Sequence, residues 1–255
     1  MSSATSLRSA VALVTGAASG LGKGTVKQLL ERGVSGILAM DIQKFTCEYP
    51  ENVLTCRGNV SSEEDVKNAL NMCKERFGKL NVVVNCAGIS VAFKLYNFHK
   101  QQAHDFDDAR KVLETNVLGT FNVNRLAVGL LAANEPENGI RGVLINTSSI
   151  SSMEGSVGQI VHAAASGAIN SMTLPMARDL AEQGIRVMTI APGIFKTPLV
   201  ERMPDVALNF LSEITLCPRR LGEPEEFGQL VTAIIENPLL NGEVIRIDGG
   251  LRLPG

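Results

Sequence analysis

The 255-residue sequence contains no tryptophan, only two tyrosines and no cysteine pair with the spacing of a metal site. Its cysteines are odd in number and scattered, which predicts reduced thiols in an intracellular protein, with neither a metal centre nor a disulfide framework. They are Cys47, Cys56, Cys73, Cys86 and Cys217. No apolar run reaches the roughly 18 residues of a membrane span, so we expect no membrane partner. The formal net charge of −2 argues against nucleic-acid binding by bulk charge.

The 45% hydrophobic content suffices for one sizeable core. Because no linker, repeat or low-complexity tract divides the chain, we expect a single domain over residues 1–255. Strands are predicted at 11–15, 36–41, 53–57, 81–85, 142–146, 186–191 and 243–247. Helices are predicted at 22–32, 62–77, 107–133, 158–183 and 225–236, with bends near Gly119 and Pro175. This alternation predicts an α/β fold, a Rossmann-like doubly wound parallel sheet with helices on both faces.

A glycine-rich loop, Thr15-Gly16-Ala17-Ala18-Ser19-Gly20-Leu21-Gly22, joins the first strand to the first helix. Glycines there allow a tight turn and let backbone N–H groups approach a pyrophosphate. Asp41 ends the second strand, where a carboxylate accepts hydrogen bonds from a ribose 2′-hydroxyl and repels a 2′-phosphate. No arginine follows Asp41 directly, so NAD is predicted rather than NADP. The alternative is that Asp41 merely closes a surface turn.

These residues, together with Asn85-Cys86-Ala87-Gly88 and Pro192-Gly193, resemble the short-chain dehydrogenase/reductase family over essentially the whole chain. Residues 144–147, 172–175, 186–193 and 236–248 are similar to its type-2 3-hydroxyacyl-CoA dehydrogenases, also described as type-10 17β-hydroxysteroid dehydrogenases. The resemblance implies a mitochondrial, NAD-dependent homotetramer that oxidises secondary alcohols on acyl-CoA and steroid-like substrates. It implies no role with nucleic acid except through a tRNA-processing partner. The sequence itself leaves the compartment, cytoplasmic or mitochondrial, open.

The resemblance also implies a set of cofactor-binding residues. Ser19 and Leu21 would touch the pyrophosphate, and Asp41 would hold the adenosine ribose. The full set is Gly16, Ser19, Gly20, Leu21, Gly22, Asp41, Asn59, Val60, Cys86, Ala87, Gly88, Ser166, Pro192, Gly193, Ile194 and Thr197. The chain departs from the family at Asn59-Val60, where Asp-Val normally stands beside the adenine, and we expect some weakening of binding there.

The catalytic positions depart further from the family pattern. The family uses Tyr-x-x-x-Lys on one helix face, a serine that polarises the substrate oxygen, and an asparagine that supports a relay water. Ser149 and Asn116 match the serine and the asparagine, whereas His162 and Ser166 stand where tyrosine and lysine belong. The segment Tyr96-Asn-Phe-His-Lys100 has the required spacing but precedes Ser149, so we interpret it as chance.

Imidazole titrates near pKa ~6.5, so His162 can act as a base without a neighbouring cation. The hydroxyl of Ser166 is too short to replace a lysine that anchors the nicotinamide ribose. We therefore expect an enzyme with weak or altered activity on a hydrophobic alcohol or ketone. Two alternatives stay open: a retooled isomerase, lyase or cyclase that keeps NAD(H) as a structural ligand, and a non-catalytic scaffold. His162 could equally be a tolerated residue without a chemical duty.

The segment 199–217 is rich in apolar side chains. By resemblance it caps a substrate pocket, and its apolar density suits a small hydrophobic substrate, although it equally suits ordinary helix packing. The connection 91–108 carries Phe93, Tyr96 and Phe98, which either wall the cleft or hold the loop down.

Overall fold

The computed structural model describes residues 7–201 and 203–253, and its centre is a seven-stranded parallel sheet. The strands of this sheet are β1 (Val11–Thr15), β2 (Gly36–Asp41), β3 (Val53–Arg57), β4 (Val82–Asn85), β7 (Gly142–Thr147), β8 (Ile185–Pro192) and β9 (Val244–Ile247). They lie in the order β3-β2-β1-β4-β7-β8-β9. A short antiparallel hairpin, β5 (Tyr96–Asn97) and β6 (Gln102–Ala103), stands apart from the sheet.

Helices cover both faces of the sheet. They are α1 (Gly20–Glu31), α2 (Glu63–Phe77), α3 (Phe106–Leu113), α4 (Thr120–Ala132), α5 (Ile160–Leu180), α6 (Asp205–Ile214) and α7 (Pro224–Glu236). Because successive strand residues point to opposite faces, Ala12 and Val14 enter a core with α1 and α7, whereas Val11 and Leu13 enter a core with α2 and α4. The two cores confirm the predicted doubly wound α/β fold.

The strand order reverses direction between β1 and β4, which places the loops after these strands side by side. Gly16, in the loop after β1, has φ +65°, and a Cβ there would lie 2.7 Å from the backbone nitrogen of Ala87 after β4. Only glycine fits this close approach. In open parallel sheets such a reversal opens a crevice at the carboxyl ends of the strands, where ligands bind.

The predicted helix over 107–133 is three elements in the structure. A π-helical turn, Glu114–Gly119, separates α3 from α4. At its end Gly119 lies against Val60, and a Cβ at Gly119 would come within 2.6 Å of Val60 Cγ2. The predicted bend near Gly119 is therefore a change of helical pitch at a tight contact, and π-turns of this kind often occur at functional sites.

Ser62 caps the N-terminus of α2. Its hydroxyl accepts a hydrogen bond from the Asp65 N–H, and the Asp65 carboxylate accepts one from the Asn59 N–H. The predicted helix 158–183 ends as an α-helix at Leu180 and continues as one 3₁₀ turn, Ala181–Gln183, while Pro175 lies inside α5. Helix α6 and the hairpin were not predicted. Among the described residues, no helix is long and apolar enough to cross a bilayer.

Candidate functional site

A cavity of about 510 Å³ opens at the carboxyl edge of the sheet, in the crevice next to the loops after β1 and β4. Its walls include the loops after β4, β7 and β8, the first turns of α5 and the segment around α6. The predicted site residues that line it are Leu21, Cys86, Ala87, Gly88, Asn116, Ser149, His162, Ser166, Pro192, Gly193, Ile194 and Thr197. The fold therefore brings together residues that are as far apart as Leu21 and Thr197 in the sequence.

The glycine-rich loop exposes its backbone at the start of α1. Ser19 is the N-cap residue in an extended conformation, and among the described residues no side chain caps this helix end. A Cβ at Gly22 would lie 2.2 Å from the carbonyl oxygen of Gly16, and Gly20 has φ +50°. A bare helix N-terminus with close glycine contacts fits a dinucleotide pyrophosphate, because backbone N–H groups and the helix dipole favour an anion.

Asp41 is buried at the end of β2, beside the same loop. Its Oδ2 accepts a hydrogen bond from the Ala18 N–H at 2.9 Å, and its Oδ1 accepts one from the Gln43 N–H at 2.8 Å. The side chain therefore both closes the turn to Gln43 and braces the glycine-rich loop. Each carboxylate oxygen keeps a further lone pair, which leaves capacity for ribose hydroxyls.

Asn59 and Val60 lie after β3, outside the residues that line the cavity. The Asn59 side-chain oxygen accepts a hydrogen bond from the Ser61 N–H at 3.0 Å. Val60 is buried, and its carbonyl accepts a hydrogen bond from Asn122 Nδ2 at 2.8 Å. The structure thus shows local structural contacts for both residues, and their expected place beside an adenine stays a prediction.

Ser149 follows β7 and faces the cavity. Its Oγ accepts a hydrogen bond from the Ser151 N–H at 3.1 Å, which caps the 3₁₀ turn Ile150–Ser152. Since this bond uses Oγ as the acceptor, the hydroxyl proton remains available for donation to a ligand oxygen. Asn116, on the π-turn, makes two hydrogen bonds to the backbone of Ile89. Its Oδ1 accepts one from the Ile89 N–H and its Nδ2 donates one to the Ile89 carbonyl, each at 2.9 Å. Its visible role is to hold the loop after β4.

His162 and Ser166 lie one turn apart on α5, and both line the cavity. Burial lowers the pKa of His162 below its ordinary value of 6.5, so the imidazole is neutral at pH 7. Its Nδ1 is buried without a hydrogen-bond partner within residues 7–201 and 203–253. Ser166 is buried, and its carbonyl accepts a hydrogen bond from Ser148 Oγ at 2.9 Å.

The wall of the cavity is mostly apolar, and its polar groups carry no formal charge. Of the described residues that line it, none is lysine, arginine, aspartate or glutamate. Burial raises the pKa of the Cys86 thiol to about 12, so this cysteine is a poor nucleophile at neutral pH. His162 is therefore the group in the wall that can exchange a proton near pH 7. No cluster of three potential metal ligands occurs in the described part of the chain.

The sequence did not single out several wall residues. Gln159 is the N-cap residue of α5, three residues before His162, and its Oε1 accepts a hydrogen bond from Ser90 Oγ at 3.3 Å. Its i−3 spacing from His162 was a usable signal. Leu253 also lines the cavity but carries no local signal, because it is near the end of the chain.

The apolar segment 199–217 contributes Leu199, Val200, Met203 and Leu211 to the wall. Other members are not in the wall, and Val206 is 81% exposed. The aromatics of the connection 91–108 do not line the cavity: Tyr96 and Phe98 pack on each other, with ring centroids 4.9 Å apart. Tyr96 thus lies in the hairpin away from the cavity, which agrees with interpreting its spacing to Lys100 as chance.

Residues 10–206 match the family model described as short chain dehydrogenase. A 3-hydroxyacyl-CoA dehydrogenase type-2 of Bos taurus is 50% identical over 254 residues, 97% of each chain. Its Drosophila melanogaster counterpart is 48% identical over 253 residues, 97% of this chain and 99% of the relative. A solved 3-hydroxyacyl-CoA dehydrogenase type-2 from Mycobacterium avium superposes with a TM-score of 0.89 at 35% identity, covering 97% of each chain.

Proposed function

The chain belongs to the short-chain dehydrogenase family, and on that premise we propose that it is an NAD(H)-dependent oxidoreductase of hydrophobic alcohols and ketones in which His162 handles the proton. Members of the family are oxidoreductases that typically use a nicotinamide cofactor. The observation that carries the finer proposal is the pairing of Ser149 and His162 in the wall of one uncharged cavity beside the glycine-rich loop. Such a wall favours a neutral carbonyl or hydroxyl group over a carboxylate, which would lack a cationic partner.

In this proposal the glycine-rich loop binds the pyrophosphate at the N-terminus of α1, and Asp41 binds the adenosine ribose. Cys86, Ala87, Gly88, Ile194 and Thr197 enclose the nicotinamide end. The nicotinamide, when bound, supplies the hydride acceptor or donor. Ser166 contributes a short hydroxyl where the family has a cation, so we expect looser positioning of the nicotinamide ribose.

The protein's own residues then perform the acid–base half of the reaction. The Ser149 hydroxyl donates a hydrogen bond to the substrate oxygen, and the neutral imidazole of His162 takes the hydroxyl proton during oxidation. In the reverse direction the imidazolium returns that proton to the carbonyl oxygen. Leu199, Val200, Met203 and Leu211 hold the apolar part of the substrate and exclude water.

The relatives are named for 3-hydroxyacyl-CoA substrates. We expect this chain to process acetoacetyl-CoA with NADH, but more slowly than its relatives. A displacement of the catalytic atom by about 1 Å can cost around a hundredfold in rate, and imidazole places its nitrogen nearer the helix than a phenol places its oxygen. A steady-state rate equal to that of the Bos taurus relative under the same conditions would contradict this expectation.

His162→Ala is expected to lower kcat by about 10²–10⁴-fold, since it removes the proton-transfer group. NADH affinity, measured by fluorescence titration, should stay the same. His99→Ala is the matched control, because His99 is an exposed histidine outside the cavity wall. Equal loss of activity in both variants, or an unchanged rate in His162→Ala, would count against the assigned role.

The rate of alcohol oxidation should depend on pH through His162. Because burial lowers the pKa of His162 below 6.5, the imidazole is already in its base form at neutral pH. Oxidation should therefore be flat above pH 7 and fall as the pH drops through the lowered value. The matching break should be absent from His162→Ala. If the wild-type rate still rises between about pH 8 and about pH 10, a range near the ordinary pKa of tyrosine, another group acts as the base.

Asp41→Ser is expected to weaken NAD binding about tenfold or more, since a hydrogen bond to a charged group contributes about 1.5–3 kcal/mol. It should also raise the relative affinity for NADP, because the carboxylate no longer repels a 2′-phosphate. Asp179→Ser, at an exposed position, serves as the control. A thermal melt must accompany both variants because Asp41 also holds the Ala18 N–H. An unchanged ratio of NAD affinity to NADP affinity would contradict the proposal that Asp41 binds the ribose.

The comparisons do not favour the two alternative functions, and simple observations distinguish them. Product formation without a change in nicotinamide absorbance would indicate the isomerase, lyase or cyclase. Absence of all turnover together with a co-purified protein or RNA would indicate the scaffold. The proposal also includes a single domain over the whole chain, a mitochondrial or cytoplasmic compartment, and a homotetramer. Light scattering would measure the mass of the assembly and so test the homotetramer.

A further inference from the structure

The last described residues of the chain, 251–253, lie beside the cavity, and we call them the C-terminal arm. Leu253 lines the cavity together with Leu199, Val200, Met203 and Leu211. Leu251 is fully buried. The arm follows β9 through Gly249 and Gly250, both with positive φ, so the chain turns sharply before it reaches the cavity.

The arm is attached to the segment that carries Ser149. Glu154 lies five residues after Ser149, and its Oε2 accepts a hydrogen bond from the Leu253 N–H at 3.0 Å. Its Oε1 pairs with Arg246 at 2.6 Å and with Arg252 at 3.3 Å. The Glu154 carboxylate therefore joins the C-terminal arm to β9 and to the loop after β7.

Asp248 supplies the second carboxylate of this network. Its Oδ2 pairs with Arg246 at 2.6 Å and with Arg252 at 3.2 Å. Asp248 also packs on the loop after β8. A Cβ placed on Gly193 in that loop would lie 2.8 Å from the Cβ of Asp248. Glu154, Arg246 and Asp248 are at most 22% exposed, so solvent screens this network less than it screens a surface pair.

We propose that the C-terminal arm is the fixed wall that limits the length of the apolar group the cavity accepts, and that Glu154 is the positioning residue that holds the arm there. The limit on length rests on the proposed function, whereas the attachment of the arm does not. Leu253 is thus a specificity-determining residue, and Glu154 acts on the substrate only through it.

The absence of tryptophan provides a direct test of the attachment. In Leu253→Trp the new indole is the only one in the chain, and its emission should be blue-shifted and poorly quenched by acrylamide. Adding Glu154→Gln should shift the emission to the red and raise quenching several-fold. Arg252→Gln, a change at a residue 63% exposed, should do the same more weakly with little risk to folding. Glu135→Gln, at an exposed acid, is the control and should change nothing.

The limit on length is tested with methyl ketones from 2-butanone to 2-dodecanone, titrated by calorimetry with NADH present. Affinity should rise by about fourfold per methylene until the ketone reaches the wall. In Leu253→Ala and Glu154→Gln the rise should continue to longer ketones than in the wild type. Identical length limits in all three proteins, or an indole in Leu253→Trp that emits as it does in water, would overturn the proposal. Failure of every ketone to bind, with the indole shift intact, would instead contradict the proposed function and leave the attachment supported.

Discussion

His162→Tyr combined with Ser166→Lys is expected to raise turnover of acetoacetyl-CoA with NADH by about a hundredfold, the loss that a displacement of the catalytic atom by about 1 Å can cause. The two positions lie one turn apart on α5 and both face the cavity, so a tyrosine and a lysine there would share its wall. The lysine cation would lower the phenol pKa from ~10 toward the working range and would anchor the nicotinamide ribose. Ser149 and Leu21 of the glycine-rich loop line the same cavity.

The two single variants are the matched controls for this gain. His162→Tyr alone puts a phenol in a buried site without a cation, where its pKa stays high, so little activity is expected. Ser166→Lys alone puts an ammonium beside the imidazole, which lowers the pKa of His162 further and weakens the base. The gain should therefore be strongly non-additive. If the double variant binds NADH but turns over no faster than the wild type, replacement of the tyrosine and lysine is not what limits the rate.

Arg186→Met is expected to lower the free energy of unfolding by about 2–4 kcal/mol. Arg186 is buried in β8 and donates to the carbonyls of Leu240 at 2.7 Å and of Ile235 at 3.1 Å. Burial lowers its pKa to about 10, so it is still charged at neutral pH, and its charge lies at the C-terminal end of α7, where the helix dipole favours a cation. Its two hydrogen bonds contribute about 1.5–3 kcal/mol each, partly offset by the cost of burying the charge.

Urea denaturation measures this loss, and the m-value should stay constant because the same surface is exposed on unfolding. Arg32→Ala is the control, since Arg32 pairs with Glu236 of the same helix across an exposed salt bridge at 2.5 Å. Such a pair contributes about 0–1 kcal/mol. A loss under about 1 kcal/mol for Arg186→Met would mean that relief from charge burial equals the two lost bonds.

Local patterns in the sequence predicted the strands of the sheet and the fold class. Predicted strands at 11–15, 36–41 and 53–57 match the structure to the residue, because buried parallel strands are continuous apolar runs that end at polar or turn residues. The glycine-rich loop and Asp41 were also visible in the sequence, since both depend on local geometry within one strand–loop–helix unit. The family resemblance implied that Ser149, His162 and Ser166 belong to one site, whereas spacing alone placed only His162 and Ser166 on one helix face.

Contacts between distant segments could not be predicted from local patterns in the sequence. The π-turn at Glu114–Gly119 ends where Gly119 lies close to Val60, and the Leu253 N–H donates a hydrogen bond to Glu154, 99 residues earlier. The lowered pKa of His162 likewise comes from burial by segments that its own helix does not contain. A local pattern encodes the shape of an element and which face it buries. Hydrogen bonds, charge pairs and close packing between elements appear only when the chain has folded.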